Sequence, residues 1–294
     1  MTFHDGLLVA SLLAFGGAVL AGLVGVLVGV LVPRRSTAVA AAPTGGVVAE
    51  LPVAASTHAV ATGALLLGGG FLLVALIVRT VAAGHAPWSN LHETAIAFAF
   101  GVVAVYAALA RRTPIGGLAP LVAIVAGALV GVALSQPGEI LPLVPALQAP
   151  LLLTVHVGSA MLAYAIAAVA FVAALGELVQ RRAGGRLALL PSVATTRAVA
   201  HRAVLLGFPV LTAAILLGSV WANLAWRSYW SNDPKELAAA ATWLLYGAYL
   251  HVAGRRDRWA AMAPWLLVIG FGAVLFTYLG AGLVFVGEHS YAGA

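Results

Sequence analysis

The sequence predicts an all-α, polytopic integral membrane protein with about eight transmembrane helices. Three observations carry that reading. Charged residues make up 8% of the chain and hydrophobic ones 63%, with a mean hydropathy of +1.06, whereas a soluble domain carries about a quarter charged residues. The apolar residues fall into separate runs, each near the roughly 20 residues that a bilayer-crossing helix needs. The basic residues gather in alternate turns between those runs.

In order, the runs cover about 7–32, 58–79, 92–110, 115–134, 151–178, 201–220, 237–253 and 263–287. The first reads as a permanent span that starts outside. Met1 to Asp5 carries no positive charge, the run exceeds a signal core, and Pro33-Arg34-Arg35 follows it. Gly16, Gly17, Gly22, Gly25, Gly29 and Gly68 to Gly70 allow close helix contact. The 33–57 loop, with Pro33, Pro43, Gly45, Gly46 and Pro52, carries no chemistry. The third and seventh runs are short or broken by polar residues. Between the fifth and sixth, the basic 179–200 loop is expected to lay a short amphipathic piece, Arg186 to Leu190, along the membrane surface. No linker divides the chain, so residues 1–294 form one membrane domain.

With the start outside and eight crossings, twelve arginines fall inside: Arg34, Arg35, Arg111, Arg112, Arg181, Arg182, Arg186, Arg197, Arg202, Arg255, Arg256 and Arg258. Only Arg79, Arg227 and Lys235 fall outside. This positive-inside bias explains the net charge of +6 as a topology signal in a cell (plasma or inner) membrane, with lipid as the neighbour and no nucleic-acid partner. It places both termini outside. There are no cysteines, so the chain forms no disulfide or thiolate site, and any sulfur chemistry belongs to a partner.

The outer segment 221–236, from Trp221 to Glu236, holds three of the seven tryptophans beside Arg227 and Lys235. Trp221, Trp226 and Trp230 offer flat π-faces, and the two cations suit an anionic edge. That combination fits haem. Tryptophans also anchor membrane interfaces whatever a protein does, and Asp233-Pro234-Lys235-Glu236 is a good helix start in its own right.

Neutral imidazole is a good iron ligand, and histidine at a membrane interface calls for a reason. His156 and His289 fall at outer span ends on either side of the tryptophan segment, where they either ligate one haem iron from both faces or are interfacial histidines satisfied by water. His251 follows Glu236 by 15 positions, roughly 22 Å inward along a helix, which puts it near the inner edge, where by position alone it reads as a snorkelling histidine. His85 and His92 either line the outer vestibule or tolerate water. His4, His58 and His201 have no motif around them.

The tryptophan segment resembles the WWD signature of haem-handling membrane proteins, in particular the CcsA/ResC family of system II cytochrome c maturation. The family ending Trp-x-Trp-Asp-Pro-Lys-Glu here reads Trp230-Ser231-Asn232-Asp233-Pro234-Lys235-Glu236, with Asn232 at an aromatic position. Pro87-Trp88-Ser89-Asn90-Leu91-His92-Glu93 resembles the family's Pro-x-Ser-Asn-x-Tyr-Glu-Ser, with His92 for Tyr. Thr154 to Val157, Tyr249-Leu250-His251 and Glu288-His289-Ser290-Tyr291 match further family motifs in the same order.

The resemblance implies haem b as cofactor and His156 and His289 as axial ligands of an outer haem. It implies Trp221, Trp226, Arg227, Trp230, Asp233 and Lys235 as its binding segment, and His251 as the inner ligand. It further implies a CcsB/ResB-like membrane partner, and an apocytochrome c whose Cys-x-x-Cys-His thiols are kept reduced by a thioredoxin-like pathway. With that partner the chain would act as a holocytochrome c synthase, a haem lyase. A CcmC/CcmF-like haem handler and a HemX-like non-catalytic regulator are the alternatives.

Overall fold

The computed structural model describes residues 2–31, 52–148, 150–255, 258–285 and 287. All regular elements among them are helical. The long helices are α1 (Phe3–Leu31), α2 (Pro52–Ala83), α3 (Leu91–Ala110), α4 (Ala119–Leu134), α5 (Pro150–Arg182), α6 (Val193–Trp226), α7 (Pro234–Ala253) and α8 (Ala263–Leu275). A π-turn at Phe276–Gly280 and a last turn at Ala281–Val284 extend α8. The chain is therefore an all-α, multi-pass membrane protein.

Among the described residues, seven helical segments are long and apolar enough to cross a membrane: Phe3–Val28, Ala54–Ala83, Leu91–Ala110, Gly116–Leu134, Leu151–Arg182, Val193–Trp226 and Trp259–Gly280. The expected count was eight. The remaining run is α7, a 20-residue helix whose Lys235, Glu236, Thr242, Trp243, Tyr246, Tyr249 and His251 dilute its apolar content. It packs against α6 and α8.

The centre of the bundle is α5, which packs against α3, α6 and α8. Its buried Ala163, Ala165, Ala167, Ala168, Ala170, Ala173 and Ala174 let those neighbours approach closely, the small-residue packing that membrane helices use.

Two sequence expectations change here. Trp221 and Trp226 belong to the last turns of α6, not to a loop. Nothing between them breaks a helix, which ends only at Arg227 in the left-handed conformation (φ 61°), with its N–H donating to Asn223 O at 3.1 Å. The loop proper is 228–233. Arg186 to Leu190 forms turns rather than a surface helix. Buried Gln180 pins it by donating to the carbonyls of Leu187 and Leu190 and accepting from Leu187 N, while His58 bonds Leu189 O at 3.0 Å. Those contacts fold the turn onto the bundle. Most of the 33–57 loop lies outside the described residues.

The opposite end is also clamped. Arg79 near the end of α2 pairs with Glu93 at the head of α3 at 2.8 Å, both side chains buried. The same guanidinium donates to the carbonyls of Gly138 and Glu139. Glu93 Oε2 accepts from Ser89 N and Ser89 Oγ at 2.9 and 2.7 Å, and Asn90 Oδ1 caps α3 by accepting from Glu93 N at 2.9 Å. These bonds hold the 84–90 turn against the bundle.

Candidate functional site: an aromatic cleft around His156

Between the heads of α3, α5 and α7 and the tail of α6 lies a cleft of about 250 Å³. His156 sits on α5 in its wall. Its Nδ1–H donates to Ala214 O on α6 at 2.9 Å. A carbonyl can only accept, so this bond fixes the tautomer and makes Nε2 the lone-pair nitrogen, the arrangement that suits a metal-ligating imidazole. Space for the ring comes from Gly218. A Cβ there would stand 2.6 Å from His156 Cε1. Trp221, buried to 2% exposure, stacks on the imidazole at 6.0 Å and 15°. Trp226 meets Trp221 edge-on at 4.7 Å and 76°.

The loop after α6 adds Tyr229 and Trp230 to the lining. Trp230 Nε1–H donates to Asn232 Oδ1 at 2.9 Å, and Asn232 sits at φ 60°. Asn is among the few side chains that adopt this left-handed conformation readily, and its amide orients the neighbouring indole. Ser219 Oγ donates to Tyr229 O at 2.8 Å, tying the loop back to α6. Asp233 caps α7 in a capping box with Glu236, and Glu236 Oε2 also accepts from Ser231 N at 2.8 Å. Lys235 and Glu236 both reach the cleft. Burial pushes the Lys235 amine below the ordinary lysine range, opposed by the charge of nearby Asp233.

The facing wall is the clamped turn, with Trp88, Ser89 and Asn90, and Tyr164 and Tyr278 also line the cleft. Tyr278 OH and Thr94 Oγ1 lie 3.0 Å apart, joining α8's extension to α3.

The structure thus gathers His156, Trp221, Trp230 and Lys235 into one cleft. Trp226 stands behind Trp221, outside the lining. Asp233 is buried and caps α7. Arg227 caps α6, also outside the lining. His289 lies outside the described residues, but Gly287, two positions before it, packs on Asp233 and Pro234 so closely that a Cβ would collide. His251 is in the last turn of α7 at the far end, exposed on the helix's outer face. His92 is built into packing: its Nδ1–H donates to Ala133 O at 2.8 Å and its Nε2 lies 3.0 Å from His4 Nε2. His85 bonds its neighbour's carbonyl, Ala86 O, at 2.9 Å.

Sequence reasoning did not select Trp88, Tyr164, Gly218, Tyr229 or Tyr278 as site residues. Trp88 was visible inside the Pro87–Glu93 motif. Gly218 lies three residues before Trp221, but a glycine in a membrane helix says nothing until the imidazole beside it is placed.

These features define a multi-pass membrane protein with an imidazole-bearing aromatic cleft at one end of its bundle. The chain belongs to the Cytochrome C assembly protein family, which matches residues 88–289, from the cleft's Trp88 to His289. Relatives named cytochrome c biogenesis protein CcsA agree. That of Microcystis aeruginosa is 35% identical over 269 residues, covering 72% of this chain and 81% of the relative. The Chlamydomonas reinhardtii protein is 32% identical, covering 84% and 73%, and the Synechocystis protein 31%, covering 79% and 87%. The chain is a membrane component of cytochrome c biogenesis.

Proposed function

We propose that this chain carries haem b to the outer face of the cell (plasma or inner) membrane. There, as the CcsA/ResC subunit of a system II synthase with a CcsB/ResB-like protein, it presents haem for covalent attachment to apocytochrome c. The observation that carries the reading is His156, tautomer-fixed by Ala214 O, stacked on Trp221 and seated over Gly218 in an open aromatic cleft. The residues present fit the group: an iron ligand, flat π-faces and one lining cation for a carboxylate edge.

When bound, haem supplies two vinyl groups to which the Cys-x-x-Cys-His thiols add. The chain supplies the rest. His156, through Nε2, and His289 would hold the haem iron. Trp221 and Trp230 exclude water from the ring faces, and Lys235 attracts the propionates. The histidine of the incoming peptide would compete with these two imidazoles, which gives a route for release. His251, exposed in the last turn of α7, would be the inner ligand together with a group from the partner. The arginine-rich end faces the cytoplasm, and a thioredoxin-like pathway keeps the peptide thiols reduced.

The test is reconstitution in cells lacking their own maturation proteins, with the chain, its CcsB/ResB-like partner and a Cys-x-x-Cys-His reporter. Denaturation-resistant haem on the reporter is expected only when the chain is present. The Trp230→Ala variant should accumulate normally, since that side chain is 43% exposed, yet attach less haem. Attachment that proceeds without the chain contradicts the proposal.

A further inference from the structure

Trp88 is the tryptophan of the cleft that stands apart from the 221–236 segment. It enters from the turn before α3 and lies against α5 at Gly158, two residues beyond His156; a Cβ on Gly158 would touch its Cζ2 at 3.8 Å. The turn that bears it is rigidly held. Trp88 N donates to Ala86 O at 2.8 Å, Ser89 and Asn90 are tied to Glu93, and Glu93 is tied to buried Arg79. In this satisfied network one donor is left over. Trp88 Nε1 is buried and has no hydrogen-bond partner among the described residues, whereas the indole N–H groups of Trp230 and Trp243 donate to Asn232 and Thr212.

A buried unsatisfied donor is costly and calls for an account. An indole N–H only donates, so its missing partner is an acceptor. Nothing in the rigid turn supplies one, and the ring lines the cavity that also holds Lys235. We propose that Trp88 contacts the cleft's ligand directly, as a second aromatic wall whose Nε1–H takes a carboxylate oxygen of a planar tetrapyrrole. This rests on the haem reading of the cleft. Because the nitrogen is buried, the contact requires the ring edge to turn toward the cavity. The cleft thereby selects for free carboxylates: an esterified ring keeps its π-contact and loses the charge-assisted bond.

The experiment measures haem b and haem dimethyl ester binding by absorption titration, with no peptide present, so that any carboxylate involved is the ring's own. The purified full-length chain and its Trp88→Phe and Trp88→Ala variants are compared in lipid nanodiscs, with helical content checked by circular dichroism. Wild-type protein should prefer haem to the diester. Trp88→Phe should lose roughly 10-fold in haem affinity, as expected for one hydrogen bond to a charged group, and bind the diester as before. Trp88→Ala should weaken both. A Trp88→Phe variant with wild-type affinity for haem and unchanged discrimination overturns the Trp88 assignment while leaving the haem reading intact. A wild-type chain that binds neither compound overturns both.

Discussion

His156 and His251 are the same side chain at opposite ends of one bundle, and the chain treats them differently. His156 is fixed by Ala214 O, stacked on Trp221 and seated over Gly218. His251 ends the exposed face of α7. The ion pairs follow the same contrast. At the cleft end Arg79 is 6% exposed and grips fully buried Glu93. At the far end buried Glu177 is held by Arg197, which is 49% exposed, and more loosely by Arg181 at 3.6 Å. A preorganised ligand site needs rigid walls, and the cleft end has them in the Arg79–Glu93 pair and its bonds to the turn before α3.

The largest difference between the two ends should appear in stability. Arg79→Met leaves Glu93 buried and uncompensated, and breaking such a pair costs about 3–5 kcal/mol. Arg197→Ala removes a solvated partner from a carboxylate that keeps Arg181, so about 1 kcal/mol or less is expected. Thermal unfolding in detergent should rank Arg79→Met far below Arg197→Ala, and equal losses would erase the contrast.

A smaller effect isolates the imidazole's seat. In Gly218→Ala the added methyl meets His156 Cε1 at 2.6 Å, so the ring must tilt from Ala214 O and from Trp221. Haem affinity should fall roughly 10-fold, about 1.4 kcal/mol, with helical content unchanged. Gly247→Ala, whose Cβ meets only Phe208 at an ordinary 3.8 Å, is the control.

The smallest effect is on pH dependence. Burial favours the neutral amine of Lys235, whose folded value therefore lies below the ordinary lysine value of about 10.4. A bound carboxylate favours the ammonium form. Haem affinity should therefore be highest below the lowered value and fall as pH rises through it, before ordinary lysines titrate. Lys235→Met should bind more weakly and lose that alkaline limb; an identical pH profile in the variant would remove Lys235 from the ligand's edge.

These tests also mark where the sequence was legible. Long apolar runs and the Asp233–Glu236 helix start are local patterns, and they predicted the helical runs and the capping box. His156, Trp221, Trp230 and Lys235 were identified as site residues by type and order, and the structure brings them to one cavity. What escaped depends on pairs distant in the chain. Gly218 matters because of His156, His92 is absorbed by His4 and Ala133, and Gln180 pins Leu187 and Leu190. Trp221 and Trp226 fall beyond the apolar run that ends near 220 and so read as part of the outer segment, yet the helix continues through both until Arg227 turns left-handed.

The central claim is that His156 is the chain's own iron ligand in a preorganised cleft. The most direct measurement is the visible absorption spectrum of the purified His156→Gly protein, recorded with and without added imidazole beside the same series for His251→Gly. The account predicts that His156→Gly loses the six-coordinate bis-imidazole spectrum, and that imidazole entering the open position beside Trp221 restores much of it. His251→Gly should instead hold less haem in total, with the cleft's spectrum unchanged in shape. A His156→Gly protein that keeps a full bis-imidazole spectrum without added imidazole would contradict the account.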